Sequence, residues 1–310
     1  MCPDHPAQSY KLDLGDGLRW KLTGTRETRT WLAKFASILN LGHCHSNDLP
    51  NLIFVARPGD ENGYATSIRQ MPNLAELHMP ANEWSMEDHR AVRIWTNPHS
   101  EDVILELSHQ GESDHEIAMM GQTLYAVYGK LTDIGGLSLH AALAELHGAG
   151  VLLVGASGSG KSTCSRRFPR PWNSLCDDEA LAIPQGSVTN KGYVAVPFPT
   201  WSDYWEGRFM NTYDSGARVP LSALFFLKPA KADKVSPLGQ GEAAMRITHS
   251  ASQICAFQWQ NLSSEAQRTA RRRIFRNACA MAGALPAFVL HTSLKGRFWA
   301  HIEEMIRFTG

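Results

Sequence analysis

LSLHAALAELHGAGVLLVGASGSGKST, residues 137–163, is the stretch whose reading decides the fold. Its last third, GASGSGKS at 155–162, satisfies the pattern G-x-x-x-x-G-K-[ST] at every fixed position. The apolar run at 151–154 reads as a buried strand, and a helix opens at Lys161. A glycine-rich turn between a strand and a helix has a specific chemistry. Gly155, Gly158 and Gly160 let the chain aim backbone N–H groups inward without side-chain clash, so that the loop touches phosphate oxygens. Ala156, Ser157 and Ser159 complete the loop, and the helix start adds free N–H groups toward the same anion. In such a loop Lys161 reaches the outer phosphates, the Ser162 hydroxyl ligates Mg²⁺, and Thr163 continues the phosphate-facing turn. ATP with Mg²⁺ is the expected ligand of residues 155–163.

Upstream, residues 137–143 and 150–154 read as two strands, which places His140 one strand before the loop. Downstream, Pro169 and Pro171 stop the helix within about two turns. A strand at 173–176 then delivers Asp177 and Asp178. Carboxylates at a neighbouring strand end suit two tasks beside a triphosphate: one holds Mg²⁺, the other accepts the proton of an attacking hydroxyl. Further strands are expected at 181–183, 193–196 and 222–227, joined by turns rather than long helices, so the sheet is expected to be mixed rather than fully parallel. The end of the chain reads as helical, over 263–282 and 296–307.

The first 116 residues read as a smaller α/β module, with strands at 52–55 and 103–107 and a helix over 28–41 closed by Gly42. A helix over 118–131 opens the second domain, 117–310. The fold class expected is therefore α/β: a phosphate-loop core on a mixed sheet, an N-terminal α/β module and C-terminal helices.

Thirty basic and thirty acidic residues give a formal net charge of zero, which argues against a nucleic-acid partner. No apolar run is long enough to span a bilayer, and the N-terminus lacks the pattern of a secretory signal. The six cysteines, Cys2, Cys44, Cys164, Cys176, Cys255 and Cys279, form no C-x-x-C pair and read as reduced thiols. A cytoplasmic protein without a membrane partner is expected. His43-Cys44-His45 has no second ligand pair at zinc-like spacing. Arg268, Arg272 and Arg276 share a helix face, with Arg271 and Arg273 beside them: a solvated face, or a dock for an acidic peptide. The aromatic stretch 198–205 reads as a structural loop or as a lid over the phosphates.

The segment 137–163, followed by LCDDEALAI at 175–183, resembles the catalytic core of bacterial HPr kinase/phosphorylase. That fold is in turn similar to the nucleotide-binding core of phosphoenolpyruvate carboxykinase. The resemblance implies that Lys161 holds phosphate, Ser162 holds the metal, Asp177 is the general base and His140 assists at the phosphate, which leaves Asp178 as the carboxylate expected at the metal. It covers about residues 137–183. A glutamate-bearing signature of the family is absent: residues 192–206 stand in its place, with Asp203 and Glu206 as substitutes, and Arg208, Arg218 and Arg246 are candidates for a downstream arginine. The layout is similar to divergent HPr-kinase-like proteins that accompany peptide-modification genes. It implies a kinase acting on a Ser or Thr hydroxyl of a peptide or protein, within a possible homo-oligomer. A nucleotide-binding regulator without transferase activity and a small-molecule kinase remain as alternative readings.

Overall fold

The computed structural model describes residues 9–15, 17–57, 83–108, 113–187, 190–199, 201, 213–260 and 262–307. The chain forms two compact units, Met1–Val127 with Trp201–Met210, and Tyr128–Thr200 with Asn211–Gly310. The division lies eleven residues beyond the one expected after 116, and the first unit also takes a segment from the middle of the chain.

The first unit is built on a six-stranded mixed sheet: β1 (Tyr10–Asp13), β2 (Arg19–Gly24), β3 (Asn51–Ala56), β6 (Ser100–Leu107), β5 (Val92–Asn97) and β4 (Ser85–Asp88), in that spatial order. β2, β3 and β6 run parallel, and α1 (Arg29–Ile38) makes the crossover from β2 to β3. Trp31 and Phe35 of α1 pack on Phe54 of β3, with ring centroids 5.4 and 6.1 Å apart. α1 does not end at Gly42 as expected. Asn40 takes the left-handed position (φ 52°), its N–H donates to Ser37 O, and Leu41 N–H donates to Ala36 O, which satisfies the last carbonyls two residues earlier. Glu106 is fully buried and accepts a hydrogen bond from Trp95 Nε1 at 3.0 Å, with Arg93 and Arg57 beside it.

The single helix expected over 118–131 is two helices, α2 (Ser113–Thr123) and α3 (Tyr125–Asp133). The Thr123 hydroxyl donates to Met120 O, and Leu124 N–H closes a tight turn onto Gly121 O, which interrupts the regular ladder.

The second unit carries an eight-stranded mixed sheet. Its strands are β7 (Leu137–Leu146), β8 (Ala149–Val154), β9 (Asn173–Cys176), β10 (Glu179–Ser187), β11 (Asn190–Phe198), β12 (Val219–Pro229), β13 (Lys234–Pro237) and β14 (Ala287–Thr292). The spatial order is β11-β10-β7-β8-β12-β14-β13, with β9 also on β7. β8, β12 and β14 are parallel, and the remaining pairings in this unit are antiparallel. Because β11 also pairs with the start of β12, the strands β7, β8, β12, β11 and β10 close into a ring. Val151, Leu153, Ala223, Phe225, Phe288 and Leu290 form the core on one side, covered by α4 (Lys161–Arg167) and α7 (Phe298–Arg307) through Cys164, Phe298 and Ile302. Each Val, Leu, Ile or Phe side chain among them removed from water stabilises by roughly 1.5–3 kcal/mol. Two further helices, α5 (Gln240–Trp259) and α6 (Ser264–Ala284), pack as an antiparallel hairpin, and α5 lies against β7. Ser263 caps α6, its hydroxyl accepting from Ala266 N–H.

Among the described residues no helix is long and apolar enough to cross a membrane.

Candidate functional site

The site is assembled by strand register around β7. Ala141 lies opposite Val154 on β8, so His140 stands beside Gly155, the first residue of the glycine-rich loop. The other edge of β7 is shared by two strands: β9 pairs with residues 143–145 and β10 with residues 137–140. Asp177 and Asp178 are the two-residue joint between them, and Asp178 O accepts from Ala141 N–H at 2.9 Å. One strand therefore places the histidine between the loop and the aspartate pair.

The loop runs from Val154 to α4 with Gly158 and Gly160 at φ 77° and 97°, backbone that L side chains rarely adopt. Gly160 occupies the N-cap of α4. Gly155 allows a close approach: a Cβ there would lie 2.3 Å from Ser159 Oγ. Ser159 N–H donates back to Ala156 O, whereas the amides of Gly158, Gly160, Lys161 and Ser162 donate to no carbonyl among the described residues. Those amides, with the buried Lys161, fit an anionic polyphosphate.

Lys161 Nζ lies 2.9 Å from Gly155 O, 3.4 Å from Ala156 O and 2.9 Å from His140 Nε2. The same imidazole nitrogen is 2.8 Å from Asp178 Oδ1, and His140 Nδ1 is 3.3 Å from Gln253 Oε1 on α5. Burial lowers the affinity of Lys161 for its proton, and the charges of Asp178 and Asp177 only partly restore it. Burial pushes the Asp178 carboxyl up, but the hydrogen bond and charge of His140 and the charge of Lys161 together hold it below the usual carboxylate range. Lys161, His140 and Asp178 thus form one connected polar group, with Asp177 adjacent in the chain and half-buried.

Glu179 lies opposite His140 in the β7–β10 ladder and is buried. Burial pushes its carboxyl up to about 7 against the opposing hydrogen bonds of Tyr128 and Ser138, whose hydroxyl donates to Glu179 Oε1 at 2.7 Å. Burial also pushes Cys164 to about 11 and Cys176 and Cys255 to about 12, so these thiols are not nucleophiles near neutral pH.

The sequence-expected residues Lys161, His140 and Asp178 are brought together, and Ser162 lies half-buried in the first turn of α4. Among the described residues no cluster of three or more His, Cys, Asp and Glu is arranged to hold a metal ion. His43 stacks on Tyr10, and Cys44 is buried. Arg246 pairs with Glu242 on its own helix and lies over the Phe226 ring, and Arg218 is exposed. Asp203, Glu206, Arg208 and, apart from Trp201, the proposed lid from 200 onward lie outside the described residues. Gln253 and Glu179 were not singled out from the sequence. Gln253 sits on a helix that hydropathy alone did not reveal, and Glu179 reads as an ordinary charged residue until its strand is placed.

The family described as SynChlorMet cassette protein ScmC matches the chain over residues 103–307, more than half of its length. No curated protein matches it. The chain belongs to the SynChlorMet cassette protein ScmC family.

Proposed function

We propose that this member of the ScmC family is an ATP-dependent phosphotransferase that moves the terminal phosphoryl group to a Ser or Thr hydroxyl of a peptide or protein. The observation that carries the reading is the contact chain from Lys161 Nζ to His140 Nε2 (2.9 Å) and on to Asp178 Oδ1 (2.8 Å), because it joins the glycine-rich loop to the aspartate pair. A loop built for backbone structure alone has no use for a buried lysine next to a histidine and two carboxylates. The HPr-kinase-like spacing of the same residues supports the reading.

In this proposal the loop amides and Lys161 bind the phosphates, and Ser162 with Asp178 would hold Mg²⁺. When bound, Mg²⁺ supplies charge that offsets what develops on the phosphate oxygens. Asp178 engages His140 through one carboxylate oxygen and fixes the imidazole beside the loop. Burial lowers the proton affinity of Lys161 and the charges of Asp178 and Asp177 partly restore it, so that it meets the phosphates as a cation. Asp177 takes the proton of the attacking hydroxyl, whose oxygen forms the new bond to phosphorus as the bond to ADP breaks.

The test is incubation of the full chain with γ-labelled ATP, Mg²⁺ and Ser-containing peptides. Label is expected on peptide with the wild type, and Asp177→Asn is expected to lose transfer while still binding nucleotide. Lys161→Ala is expected to lose both. ATP binding that survives Lys161→Ala unchanged would remove the loop from the reaction, and transfer that survives Asp177→Asn would remove Asp177 as the base.

A further inference from the structure

The hairpin of α5 and α6 carries a surface that the phosphate site does not use. Between the two helices lies an open hollow of about 550 Å³ lined by Ser252, Ala256, Trp259 and Gln260 from α5 and by Gln267 and Arg271 from α6. Trp259 lines it as a largely buried ring, and the Arg271 guanidinium lies over that ring at 5.5 Å. Phe257 is 71 % exposed and Phe275 45 % exposed.

The charge on this surface is one-sided. α6 contains Arg268, Arg271, Arg272, Arg273 and Arg276 against the single acid Glu265, in a chain of zero net charge. Arg273 is bound to Asp133. Arg268, Arg271, Arg272 and Arg276 are exposed, and none of them has a carboxylate partner among the described residues. Residues 268, 272 and 276 recur at the helical spacing that puts them on one face, and 271 adjoins them at the hollow.

We propose that the α5–α6 groove binds an acidic peptide segment. The arginines supply bidentate donors for Asp and Glu carboxylates. The exposed Gln260 amide matches the donor and acceptor of a peptide group, and the Gln267 carbonyl adds an acceptor while its Nε2 donates to Leu262 O at 3.1 Å. Ala256, exposed at the hollow, and the edge of Trp259 supply the apolar contact between these donors. The chain as a whole carries zero net charge rather than a basic excess, which favours a peptide over nucleic acid.

The groove and the phosphate site share α5. Gln253, which contacts His140, precedes Trp259 by six residues, about 9 Å along the helix axis. An extended peptide covers that span in about three residues.

The experiment measures binding of a fluorescein-labelled peptide of alternating Glu and Leu to the full chain, without nucleotide, by anisotropy. Binding is expected to weaken with salt, and Arg271→Glu is expected to weaken it about tenfold. Arg268→Glu with Arg272→Glu, on the exposed face and away from the core, is the second variant and is expected to act in the same direction. Equal affinity for a Gln-Leu peptide, or no loss in either variant, would overturn the groove. So would tighter, Arg-dependent binding of oligothymidylate or of phosphatidylserine vesicles. Arg-dependent peptide binding without label transfer to a Ser-containing version supports the groove and counts against phosphotransfer alone.

Discussion

Glu179 faces His140 across the β7–β10 ladder, so a buried carboxyl that titrates at about 7 lies one residue from the aspartate that holds the imidazole. In the unfolded chain that carboxyl ionises near its ordinary value of 4.5. Between pH 4.5 and about 7 the unfolded state therefore binds fewer protons at this group than the folded state does, and stability falls as pH rises. Over that window the loss is on the order of 3 kcal/mol. Glu179→Gln is expected to remove this dependence. Denaturant unfolding at pH 5 and pH 8 checks it: the variant should gain on the wild type as pH rises, and parallel curves would place the ionisation elsewhere.

In the proposed reaction Gln253 acts through His140, the ring it contacts. Gln253→Leu deprives Nδ1 of its partner at 3.3 Å and lets the ring turn. The rate of label transfer is expected to fall about tenfold, with ATP affinity unchanged. Gln253→Glu, which keeps an acceptor at the same place, should recover most of the rate. A loss confined to ATP affinity would assign Gln253 to the phosphates instead.

The loop has a built-in rescue experiment. Gly155→Ala brings a Cβ to 2.3 Å from Ser159 Oγ and 2.9 Å from Ser159 Cβ, so the backbone of the loop has to shift. A cost of about 1–3 kcal/mol in stability and a loss of nucleotide affinity are expected. Adding Ser159→Gly removes both clashing atoms and should restore binding. Titration with a fluorescent ATP analogue compares the three proteins.

In the first unit the weak point is Glu106. Its carboxylate is fully buried between Trp95 Nε1, Arg93 and Arg57. Glu106→Ala leaves two cations facing each other and is expected to destabilise by about 3–5 kcal/mol. Thermal unfolding of the variant would show it, and a loss under about 1 kcal/mol would mean that water replaces the carboxylate.

What the sequence disclosed follows from signal strength. The strand–loop–helix at 149–167 and the strand at 173–176 were legible because glycine and proline punctuate them sharply. α5 was not. Its buried stripe runs Ala243, Ile247, Ala251, Cys255 and Trp259, four apart, but small residues give it little hydrophobic contrast. With that helix unseen, Gln253 and the hollow beside Trp259 had no place in the sequence reading. β14 was missed because its six residues lie between two helices and pair only with distant strands, β12 and β13. The break at Leu124 depends on one threonine hydroxyl that bonds back along its own helix, which composition does not reveal.

The ring of β7, β8, β12, β11 and β10 leaves the strand under the glycine-rich loop with no free edge. Its amides are shielded from solvent on both sides, and none can open without breaking a ladder that returns on itself. Native-state hydrogen–deuterium exchange should therefore find Val151–Val154 and residues 139–142 protected as one cooperative block, opening only with the unit as a whole. The loop itself, one peptide beyond that block, can then yield to a ligand while the floor it springs from stays still.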